Sequence, residues 1–112
     1  MATLTPTAIS RAGVDMAGVA ADAAGDEWAN TGKEFAEVKN GSGSPITVTN
    51  DIKATVDGAA VTDPTVTIAA GATKMIGPFP TGLYNDPTTG RARISYSAVT
   101  SVTTKIVQCT PG

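Results

Sequence analysis

Residues 34–56 read EFAEVKNGSGSPITVTNDIKATV, and this stretch decides the fold class. Ala36 and Val38 share one parity, while Phe35, Glu37 and Lys39 share the other. Asn40-Gly41 is a strong turn signal, because both residues tolerate positive φ. Gly41 and Gly43, two glycines within three residues, make the tip flexible and lengthen it to about four to six residues, and Pro45, which lacks an N–H, suits a strand start. Ile46, Val48, Ile52, Ala54 and Val56 then alternate with Thr47, Thr49, Asp51, Lys53 and Thr55. Period-two alternation with β-branched residues marks strands with one buried face. The stretch therefore predicts a hairpin, with a bulge or bend at Asn50-Asp51. It is not a phosphate loop, since no Lys-Ser/Thr pair and no helix follow.

The same pattern extends outward. Thr65–Ile68, Thr73–Gly77, Arg91–Ala98 and Val102–Gln108 read as strands, separated by turn material such as Ala70-Gly71-Ala72 and Thr81–Gly90. Residues 3–9 alternate Leu4 with threonines around Pro6, which predicts an edge strand or an extended arm. Ser10–Lys33 is rich in Ala and Gly and reads as a long loop with a short helical turn near 19–24, closed by Gly25. The expected architecture is all-β. It is a single-domain antiparallel β-sandwich or small barrel of about seven strands over 13–112, with a long early loop, preceded by an extended N-terminal arm or edge strand over 1–12.

Composition narrows the function classes. The chain has 112 residues, a net charge of −2 and no histidine. One domain with a modest core is expected at this length. Lacking histidine, it lacks the commonest general base and zinc ligand. The single cysteine, Cys109, makes neither an intrachain disulfide nor a structural zinc site. Asp22, Asp26 and Glu27 do not have calcium-loop spacing, and no serine lies in a nucleophile elbow. An enzyme is not expected, and no cofactor or metal is implied. No basic stripe invites nucleic acid, no apolar run is long enough to span a bilayer, and no secretory signal opens the chain. Arg91 and Arg93 share the polar face of one strand, either as edge charges or as a grip for a phosphate or carboxylate.

Four segments, taken in order, carry a family likeness. They are ISRAGVDMAGVAADAAGDEWANTGKEF from Ile9, VKNGSGSPITVT from Val38, ATVDGAAVTDPTVTIAAGATKMIGPFP from Ala54 and YNDPTTGRARISYSAVTSVT from Tyr84. Together they resemble small proteins encoded in the head-gene region of tailed bacteriophages and prophages, beside the major capsid protein. The resemblance implies a β-rich virion structural protein made in the host cytoplasm. Its expected role is that of a decoration (cement) protein on the outer capsid face. The implied partners are the major capsid protein and further copies of the chain in a homotrimer, with no nucleic acid or membrane. The motifs are structural, so no binding residues carry over. From the residues themselves, Leu4, Ile9 and Arg11 of the arm, Trp28 of the early loop, and Phe79 and Tyr84 are the candidate contacts. Trp28 reads first as a plug at an edge of the core and second as an interface anchor. The competing readings are a tail, connector or head-fibre component, and a carbohydrate-binding module built on Trp28, Phe79 and Tyr84.

Overall fold

A computed structural model describes residues 2–13, 18–52, 55–56, 58–60 and 62–108. Among them, twelve strands and one helical turn follow in chain order: Ala2–Leu4 (β1), Thr7–Ala8 (β2), Val19–Ala20 (β3), Asp26–Ala29 (β4), Glu34–Asn40 (β5), Ile46–Asn50 (β6), Thr55–Val56 (β7), Ala59–Ala60 (β8), Thr65–Ile68 (β9), Thr73–Ile76 (β10), Thr81–Tyr84 (α1), Arg91–Tyr96 (β11) and Val102–Gln108 (β12). The expectations for Lys53, Ala54 and Cys109 fall outside the described residues.

Two sheets pack face to face. One has the order β1-β4-β11-β6-β9. The other has the order β10-β5-β12-β2, with β3 paired to the same strand β12. The all-β sandwich expected from alternation is present, but it has ten strands in the two sheets rather than seven, and the sheets are mixed rather than purely antiparallel. The parallel pairings are β1 with β4 and β2 with β12. Both come from the N-terminal segment, whose two-residue break at Thr5-Pro6 hands the chain from one sheet to the other. Proline cannot continue a ladder, so the switch falls where a donor is missing anyway.

The central stretch is not a hairpin. β5 pairs with β10 and β12 in one sheet, while β6 pairs with β9 and β11 in the other. The NGSGSP segment is thus an arch across the sandwich, and Ala36 and Val38 face Ile46 and Val48 from opposite layers. Asn40 decides this outcome. Its buried carboxamide donates from Nδ2 to the carbonyls of Ser44 (2.8 Å), Ile68 (3.1 Å) and Ala69 (3.3 Å). Its Oδ1 accepts from the Ser42 N–H (3.0 Å) and the Ser42 hydroxyl (2.6 Å). One side chain therefore ties its own turn to the β9–β10 connection, which is also an arch. The third arch, β11–β12, docks alongside through the Gly41 N–H to the Ser101 carbonyl (2.9 Å). A Cβ on Gly41 would lie 2.8 Å from that oxygen, so the approach requires glycine.

Two further expectations change. β6 stops at Asn50, where the Ile52 N–H leaves the ladder to donate to Asp63 Oδ1 (2.9 Å), and β7–β8 form a separate small hairpin. The early loop also holds two strands, and no helix forms over 19–24. Its β4 lies inside the first sheet between β1 and β11. Its alternation was hard to read because Asp26, a charged residue, faces the core beside Trp28. The core is built from Leu4, Trp28, Ala36, Val38, Ile46, Val48, Ile68, Ile76, Phe79, Ala92, Ile94, Val102 and Ile106.

Candidate partner interface

The ionisable and polar groups that looked available in the sequence are used inside the fold. Tyr96 OH donates to Asp26 Oδ2 (2.6 Å), and Thr104 Oγ1 lies 2.6 Å from the same hydroxyl. This chain joins β4, β11 and β12 through the core. Burial pushes the Asp26 carboxyl above its usual value, and the hydrogen bond from Tyr96 only partly offsets that. Burial, followed by the neighbouring Asp26 carboxylate, pushes the Tyr96 phenol well up. At the opposite end from the arches, the buried Glu34 carboxylate accepts from the Thr31 N–H and hydroxyl and from Gln108 Nε2 (2.8 Å). Asn30 Nδ2 donates to the Phe79 carbonyl (2.8 Å) and to Asn85 Oδ1 (2.6 Å), which fastens the β10–β11 connection.

The arginine pair is likewise engaged. Arg91 pairs with Glu27 (3.0 Å). Arg93 lies 3.3 Å from Asp51 and donates from Nη2 to the Ala24 carbonyl (2.8 Å). These contacts leave neither as a ready anion grip. No group of three or more metal-ligating side chains is gathered among the described residues.

The predicted contact residues separate into two sets. Leu4, Trp28 and Phe79 are core residues, inaccessible to a partner. Trp28 and Phe79 meet edge to face with centroids 5.0 Å apart, and Tyr84 stands against Phe79 at 5.3 Å. Sequence reasoning grouped these three aromatics by type, and the fold does bring them together. They form a core wedge, whereas a sugar-binding platform requires exposed rings. Ile9 is 45% exposed and Arg11 is exposed, both beyond β2. Tyr84 is half-buried.

The surface left open is one side of the sandwich. The N-terminal segment covers the opposite side, lying on β4 in one sheet and on β12 in the other. On the open side, β9 and β10 are the edge strands. Met75 of β10 is 67% exposed, the most exposed large apolar side chain among the described residues. Segment 75–78 stands as a ridge between two depressions. One, of about 540 Å³, is walled by Lys33, Phe35, Met75 and Pro78. The other, of about 320 Å³, lies toward the gap between the sheets and is walled by Asn50, Val66, Phe79 and Tyr84. Gly77 shapes the ridge: it has φ +137°, and a Cβ there would lie 2.9 Å from Phe35 Cβ. Sequence reasoning named Met75 only as a strand residue. The signal was there, because Met75 and Ile76 are adjacent and only one of them can face the core of an alternating strand.

Comparison with protein-family models, with curated proteins and with solved structures finds no significant match to this chain.

Proposed function

We propose that this protein is a structural component of a tailed-bacteriophage virion, a decoration protein that binds the outer face of the major capsid protein shell and stabilises it. The observation that carries the reading is how the fold spends its chemistry. Asp26, Glu27, Glu34, Arg91 and Arg93 are all taken up by internal contacts, and an apolar strand edge around Met75 is left for a partner. That pattern suits a static docking domain. The sequence likeness to head-region proteins supplies the shell as the surface on which it docks.

The mechanism follows from linkage. A domain that binds only the assembled shell lowers the free energy of that state and leaves free capsid subunits unaffected. Trimerisation at three-fold positions multiplies a modest contact through avidity. Deleting the first eight residues is not a clean test of contact, because Leu4 belongs to the core. The direct experiment is electron cryomicroscopy of particles with and without the protein, together with their thermal release of DNA. The proposal expects density repeated over the shell and earlier DNA release from bare particles. Density confined to vertices, portal or tail would overturn it in favour of the connector or tail reading.

A further inference from the structure

We infer that the β10 edge is a strand-accepting site whose occupant is an extended, acidic segment of the partner protein. This deepens the shell-binding reading by naming what the edge takes, and it rests on that reading only for the segment's source.

Four observations support it. The first is the phase of the ladder. The Asn40 N–H bonds the Ala72 carbonyl (2.9 Å), so alternate residues 74 and 76 face β5 and the main-chain groups of Thr73 and Met75 face outward. Unpaired edge groups of this kind are a template for an added strand. The second is that the two depressions lie on either side of the 75–78 ridge. An added strand sends successive side chains to opposite faces, so it would fill both in turn. The third is an orphaned acceptor. Asn50 is 6% exposed, its Oδ1 has no hydrogen-bond partner, and it lines the smaller depression. A buried amide oxygen without a donor costs free energy, and an N–H or O–H from an inserted side chain would remove that cost.

The fourth is charge. Lys33, Lys39 and Lys74 surround the edge, and none of them is in an ion pair among the described residues. The acid opposite Met75, the half-buried Glu37, is taken by Lys105 at 3.8 Å. Lys74 lies on the core-side face opposite Val38 yet remains exposed, because β10 is at the rim. Inward-facing lysines on edge strands deter pairing between identical copies. Two copies joined here would set their lysines side by side, whereas an acidic strand would neutralise them.

The test uses the intact protein as bait for a library of random nine-residue peptides, with two variants run alongside. Met75→Pro removes an outward-facing N–H and spares the β5 ladder, and its cooperative thermal unfolding verifies the fold. Lys39→Glu/Lys74→Glu reverses the local charge. Peptides enriched on the wild type should be acidic and alternate apolar residues with period two. They should bind Met75→Pro at least ten-fold more weakly, and the charge-reversed protein should select basic peptides instead. No enrichment over Met75→Pro, or an unchanged charge preference in the double variant, would overturn the inference. Met75→Pro protein that still decorates particles fully would overturn it while leaving the shell-binding role intact. Acid-selective peptide capture without particle binding would do the reverse.

Discussion

Asn40→Ala tests the architecture most directly, because one buried carboxamide holds two arches together. The substitution deletes three donated bonds, to Ser44, Ile68 and Ala69, and two accepted from Ser42. Ser44 is exposed and Ser42 is half-exposed, so both can recover hydrogen bonds to water and their loss is small. The bond to the Ile68 carbonyl is buried, and the orphaned acceptor has no replacement donor. A net bond contributes about 1 kcal/mol and an orphaned buried acceptor costs about 1–3 kcal/mol, so the expected loss is about 3 kcal/mol. For a chain of this length that corresponds to a fall in Tm of roughly 12 °C. Urea unfolding followed by tryptophan fluorescence reads it well, since Trp28 is fully buried and is the only tryptophan. The midpoint should fall with little change in slope, because the core itself is untouched. Ser42→Ala is the control and should cost less than about 1 kcal/mol. Asn40→Asp retains the acceptor but turns an oxygen toward the Ile68 carbonyl, so it should be at least as damaging as alanine. A loss under about 1 kcal/mol for Asn40→Ala, or a stable Asn40→Asp, would refute the role of this residue as the corner post.

Three further predictions follow from the same geometry. Asp26 has a raised folded-state pKa, so its contribution is fully present below its ordinary value of 3.8 and is lost as pH rises through the folded value. Denaturation across that window should show wild-type stability falling relative to Asp26→Asn as pH rises, and a flat difference would contradict the burial. Gly25→Ala should lose about 2 kcal/mol in the same assay, because φ is +101° and the new Cβ would lie 2.9 Å from the Ile94 carbonyl. Leu4→Ala should cost about 2–3 kcal/mol, as for other buried leucines, and a neutral result would mean that the N-terminal segment is not seated on the sandwich.

Much of the fold was legible because alternation is a local property. Thr65–Ile68, Thr73–Ile76, Arg91–Tyr96 and Val102–Gln108 are strands as their patterns require, and Ala36, Val38, Ile46 and Val48 face the core from the predicted parity. β4 was not legible, because an aspartate at a core position looks like a loop residue until its partner is known. That partner, Tyr96, is 70 positions away. The candidate surface was less legible than the fold. Met75 was passed over as one more strand residue, whereas Trp28 and Phe79 drew attention by size and proved to be core. Size alone cannot tell a plug from an anchor, because both bury an aromatic ring.

For residues 34–56, the sequence by itself determined two strands, their inward faces and a chain reversal between them. Only the tertiary structure decided in which direction the reversal runs. Asn-Gly-Ser-Gly permits a turn within one sheet or across two with equal ease, since local φ preferences do not distinguish the planes. The choice depends on what Asn40 finds beyond its own turn, the carbonyls of Ile68 and Ala69 brought up by another arch. A hydrogen bond spanning 28 positions leaves no periodic trace in sequence, yet it makes this stretch the corner of a sandwich.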